Sequence, residues 1–133
     1  MHPMAFADID SATQTQIEAD LAEAAGRGIN GSPADIVESF EAELADYLAL
    51  PPDARRSFPR GDTARLFGTA LGQALVREGF SWQLLIDDYG TDLVVAKDVG
   101  SAGEKYTAPL VVVDQRFEDE EPGTLTKFLG QFL

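Results

Sequence analysis

Cysteine is absent from this chain of 133 residues, and histidine occurs once, as His2. The first absence excludes disulfides, thiolate zinc sites, iron–sulfur ligation and cysteine nucleophiles. With its one histidine in what reads as a loose leader, the chain is expected to hold neither a multi-histidine metal site nor a histidine-based triad. Long apolar runs are missing too. The longest, such as Leu110–Val113, reach four or five residues, far short of the roughly twenty of a membrane helix. The start, MHPMAFADID, lacks the basic end and apolar run of a secretory signal. A cytoplasmic location is therefore expected.

Positive charge is the other shortage. Lys and Arg number 10 against 23 Asp and Glu, a formal charge of −13. Such a surface repels phosphate backbones and anionic lipids, so neither nucleic acid nor membrane is an expected partner. The imbalance is local. Residues 1–54 hold eleven acids and one base, Arg27, whereas Arg55, Arg56, Arg60 and Arg65 follow within eleven residues against Asp62 alone. The acids keep the chain soluble. They also offer an acidic face on the N-terminal helices to a basic protein partner.

No cofactor is expected. GxxxxGK[ST] and GxSxG are absent, and Gly26-Arg27-Gly28 lacks the strand that precedes a dinucleotide loop. A calcium loop begun at Asp8 and Asp10 would place Thr13 where glycine is needed and Ala19 where a bidentate glutamate is needed. Glu118–Glu121 reads as a solvated acidic loop, so no metal site is assigned.

The pattern predicts α+β architecture in the order α-α-α-β-β-β-α: helices packed on a small, mainly antiparallel three-stranded sheet. Residues 1–9 read as a flexible leader and 10–133 as one domain. A first helix over about 11–25 is capped by Asp10 or Ser11 and carries Ile17, Leu21, Ala24 and Ala25 along one side. The run Ser32-Pro33-Ala34-Asp35 is the clearest start signal: an N-cap serine, proline at the first position and an acid three residues after the cap. That helix is expected over about 33–50, ended by Pro51-Pro52. A connector over 51–62 leads to a third helix over about 63–78, capped by Asp62 or Thr63. Strands follow over about 80–87, 92–97 and 105–114. A hairpin loop of three to five residues joins the first two, and Pro109 marks an edge or first strand position. A last helix over about 124–132 starts at a Thr124 cap.

Carboxylate and arginine chemistry are what remain. Asp87, Asp88 and Asp92 flank the hairpin turn, where aspartate is also an ordinary turn former. Arg55, Arg56, Arg60 and Arg65 offer an anion site near the start of the third helix or, more simply, neutralise the acidic second one. Trp82 and Tyr89 are candidates to line a pocket. The binding or pocket candidates are thus Trp82, Asp87, Tyr89, Asp92, Arg55 and Arg56; no catalytic residue is assigned.

One stretch has a further reading. Phe67-Gly68-x-x-Leu71-Gly72-x-x-Leu75-Val76 is followed by Gly79-x-x-Trp82, by Asp87-Asp88-Tyr89-Gly90-Thr91-Asp92-Leu93 and by Tyr106-x-x-Pro109-Leu110. Over residues 60–133 this resembles an uncharacterised bacterial domain family known as domain of unknown function 3806. The resemblance implies a small α+β domain with no assigned activity and carries over no catalytic residue. Its signature, Gly68, Gly72, Gly79, Gly90 and Pro109, reads as architectural, with the first two glycines permitting a close helix–sheet contact. The leading expectation is a non-enzymatic binding or accessory domain for a protein partner. A small hydrolase-like enzyme using carboxylate or arginine side chains is one alternative. A structural domain that self-associates, as a homodimer, is the other.

Overall fold

The computed structural model describes residues 4–133; His2 lies outside them. Four helices follow a short first strand: β1 (Ala5–Asp8), α1 (Ser11–Gly26), α2 (Pro33–Ala49), α3 (Pro52–Arg56) and α4 (Arg60–Arg77). Then come β2 (Ser81–Asp87), β3 (Gly90–Lys97), β4 (Lys105–Thr107), α5 (Pro109–Gln115), a 3₁₀ turn (Arg116–Glu118) and α6 (Thr124–Phe132). The class is α+β, and the strands form one antiparallel sheet in the order β1-β2-β3-β4.

The caps explain why the helices start where they do. Asp10 accepts the Thr13 amide at 2.8 Å and opens α1. Ser32 and Asp35 close a reciprocal capping box on α2, each accepting the other's amide at 3.1 Å. At the far end of α2, Arg55 donates to the carbonyls of Leu48 and Leu50, satisfying acceptors that the helix cannot.

α4 is the axis of the molecule. Leu66, Leu71 and Leu75 are fully buried, and α1, α2 and α5 all pack against it. A ring cluster joins α2 to the C-terminal part: Phe40 meets Phe67 and Phe117, while Tyr47 meets Phe58 and Phe117, at centroid distances of 5.1–5.5 Å.

Several expectations are corrected. The sheet has four strands, because residues 5–8 of the expected leader pair with β2 from Ala5↔Ile86 to Asp8↔Gln83. Only Lys105–Thr107 of the expected strand 105–114 is extended. From Pro109 the chain is helical, because proline at the first helical position presets the backbone and Pro109, Leu110 and Val113 then share one face toward α4. The connector 51–62 contains α3, and α4 begins at Arg60, without the expected cap from Asp62 or Thr63. Thr63 instead bonds back to the Pro59 carbonyl at 2.8 Å. At α6 the cap is Gly123, and Thr124 donates to Asp119. The hairpin loop is shorter than expected: Asp87 pairs with Gly90, leaving Asp88 and Tyr89 between them.

Strand alternation assigns the two faces of the sheet. Trp82, Leu84 and Ile86 of β2, with Thr91, Leu93 and Val95 of β3, face the helices. Leu85, Val94 and Ala96 lie on the far face, buried yet apart from the main core. Their cover comes from the two edge strands: Phe6 of β1 and Tyr106 of β4 meet edge-on at 5.5 Å.

Candidate functional site

Gly72 and Gly68 fix how far the helices cover the sheet. A Cβ on Gly72 would lie 2.2 Å from Trp82 Cη2, so the tryptophan and the α4 backbone are in direct contact. Trp82 Nε1 donates to Gln73 Oε1 at 3.1 Å. Trp82 therefore fills the inner face against α4. Gly68 makes its close approach to a helix, not to the sheet: a Cβ there would lie 2.5 Å from Leu110 Cα of α5.

Beyond this contact the sheet outruns α4. Ile86, on the helix-facing side near the hairpin, is 42% exposed. A cleft of about 470 Å³ opens there between α1 and the sheet. Its floor is apolar, made by Ile17, Leu84, Leu93 and Leu110, and its walls carry Thr13, Gln16, Asp20, Arg65, Thr69 and Thr91.

Asp20 is the buried charge in this cleft, at 4% exposure. Its Oδ1 accepts from Gln16 at 2.8 Å, one turn earlier, and from Arg65 of α4. Arg65 also reaches Asp62 at 3.3 Å and Glu23 at 3.7 Å. Burial works against the Arg65 charge, but the Asp20 charge, hydrogen bonds to Asp62 and Asp20, and the Glu23 charge raise its pKa above the ordinary arginine value. The Arg65 guanidinium thus stays charged, with three carboxylates around it.

The expected candidates lie elsewhere and apart. Asp87 is half-buried and accepts the Tyr89 amide at 2.8 Å, a local turn bond. Asp92 is exposed on the far face, opposite Leu85. Tyr89 is 85% exposed at the hairpin tip. Arg55 closes α2 and lies 5.8 Å over the Tyr47 ring, while Arg56 pairs with Asp53 of its own turn. Arg60 binds Asp114 and Glu118 and covers Phe117. The hydrogen bond to Asp114 is the main reason its pKa is raised, against burial and with help from Glu118. Arg55, Arg60 and Arg65 therefore hold separate elements together, Arg56 pairs within α3, and none of the four neutralises a carboxylate of α2.

Asp20 was missed although a signal was present. It stands three residues after Ile17 and four before Ala24, the spacing of one helical face, and both of those are buried.

A second depression, of about 480 Å³, lies between α2 and α6, with Val37 and Leu129 below and Glu38 and Glu41 at its edge. Glu41 Oε2 accepts from Thr126 at 2.9 Å, while Oε1 is buried without a partner among the described residues. The helices α1 and α2 contain no lysine or arginine, and Glu18, Glu23, Asp35, Glu38 and Asp46 are exposed. Among the described residues no three acids or histidines converge as a metal site, and no helix is long and apolar enough to cross a membrane.

Comparison with known proteins adds one finding. No curated protein and no solved structure matches the chain. The model of a family described as a domain of unknown function, DUF3806, matches residues 54–128, which run from α3 to α6 and include the Gly68, Gly72 and Trp82 contact. That segment is more than half of the chain, and the chain belongs to the DUF3806 family.

Proposed function

We propose that this chain is a non-enzymatic binding domain that recognises a basic protein partner in the bacterial cytoplasm. The observation that carries the reading is the outer surface of α1 and α2. Five exposed carboxylates stand on these two helices, which contain no lysine or arginine; of the five, Glu23 is paired, with Arg27 just after α1 at 3.4 Å and with Arg65 of α4 at 3.7 Å. Charge of one sign concentrated on exposed helices steers an oppositely charged partner and speeds its association. The cysteine-free composition and the α+β scaffold accord with an intracellular accessory role.

Capture from an extract of the native cell tests this, comparing the natural chain with a Glu18→Gln, Glu38→Gln, Asp46→Asn triple variant. The expected result is one basic protein retained in stoichiometric amount, released by raised salt and lost with the variant. A partner retained equally by the neutralised variant would show that the acidic helices are not the recognition surface.

A further inference from the structure

The cleft between α1 and the open end of the sheet is where a buried charge, an apolar floor and room for a ligand coincide. Both donors to Asp20 converge on Oδ1, and no donor among the described residues reaches Oδ2. Oδ2 is not fully enclosed, unlike Glu41 Oε1, so it opens to the cleft and can accept from a donor that arrives there. Arg65 does not make the site anion-binding, because its guanidinium is already shared among Asp20, Asp62 and Glu23. Three carboxylates around one cation leave the local field negative. The floor of Leu84, Leu93 and Leu110 suits a hydrocarbon body. The volume of about 470 Å³ falls within the range of small-molecule sites, roughly 300–1,000 Å³.

We propose that this cleft binds a small organic ammonium, whose N–H groups bond to Asp20 and whose apolar body lies on the sheet floor. A charge-assisted hydrogen bond supplies the orientation, and apolar burial supplies the remaining affinity. The proposal is independent of the basic-partner reading. It concerns an inward-facing carboxylate rather than the exposed acids, and the two tests can fail separately.

The test titrates n-hexylammonium, hexan-1-ol and hexanoate into the full chain while backbone amides are followed by NMR. These probes share a hydrocarbon body and differ in charge. Hexylammonium is expected to give saturable shifts confined to residues 12–20, 65–69, 84, 91–93 and 110, with affinity about tenfold above hexanol and no binding of hexanoate. In Asp20→Asn the preference over hexanol should fall to parity. Ala12→Trp, at an exposed residue on the cleft rim, should block binding with Asp20 intact. The spectra themselves report whether each variant is folded, and Ala12→Trp decides the matter if Asp20→Asn is not. Shifts scattered over the outer faces of α1 and α2, an undiminished preference in Asp20→Asn, or stronger binding of hexanol or hexanoate would each overturn the proposal.

Discussion

Replacing Gly72 by alanine tests how the helices meet the sheet. The new methyl carbon would lie 2.2 Å from Trp82 Cη2, 2.6 Å from Cζ2 and 3.0 Å from Pro109 Cγ. Carbon atoms in contact sit about 3.5–4.0 Å apart, so the indole would have to retreat by roughly 1.5 Å. Its Nε1 bond to Gln73 opposes that retreat. Overpacking of this kind costs about 1–3 kcal/mol, and alanine's better helix propensity returns about 1 kcal/mol. An overlap of this depth belongs at the upper end, about 2–3 kcal/mol, so the expected net loss is about 1–2 kcal/mol, or a fall in Tm of roughly 3–8 °C for a domain of this size. Trp82→Phe removes the ring carbons that the methyl would meet. In that background Gly72→Ala should cost at least about 1 kcal/mol less, a coupling typical of residues in contact. Urea unfolding followed by far-ultraviolet circular dichroism measures all four corners of the cycle, which tryptophan fluorescence cannot, since Trp82 is the only tryptophan. A neutral or stabilising Gly72→Ala, or a cycle with no coupling, would refute the packing account.

Gly61 in α4 and Gly130 in α6 have open space where a Cβ would stand. Gly61→Ala and Gly130→Ala should therefore each stabilise by up to about 1 kcal/mol in the same unfolding assay. Ser32→Ala breaks the capping box of α2 and should cost about 1 kcal/mol, seen as a lower urea midpoint at unchanged slope. Hydrogen bonding to Thr13 lowers the Asp10 pKa below its ordinary value. The stabilisation from this cap should be fully present above the unfolded value of about 3.9 and lost as pH falls through the lower folded value. A carboxyl NMR titration should place the Asp10 midpoint below about 3.9, with the first turn of α1 fraying in the same step; a midpoint at or above that value contradicts the cap geometry.

The elements legible in the sequence were those whose signals are local. Ser32, Pro33 and Asp35 specify the start of α2 within four residues, and the alternation from Trp82 onward gives β2 its two faces. Two elements were misread because a few apolar residues do not fix a period. Leu110–Val113 is a β-branched run that suits a buried strand, but Pro109 initiates a helix. Gly68 then admits Leu110 so closely that tertiary packing outweighs strand propensity. Ala5–Asp8 holds two alanines and one aromatic residue, and its role depends on a partner strand more than seventy residues away. The site was illegible for a related reason. Asp20, Arg65, Thr69 and Leu93 come from α1, α4 and β3, and only the point at which α4 stops covering the sheet brings them to one cleft. Of the aspartates and arginines that stood out in the sequence, Asp87 is a turn former, Arg55 and Arg60 are struts, and Arg56 pairs within its own turn.

β1 lies outside the residues that define the family match. A fragment cut to residues 54–128 would keep the Gly72 contact but make β2 an edge. The amide and carbonyl groups that β1 engages would open to solvent, and Leu85 would lose Phe6 beside it. Such an edge is a template for pairing with another copy of the fragment. The opening strand thus acts as a selvedge that keeps the sheet from unravelling into intermolecular pairing, and fragment boundaries should be drawn before Ala5.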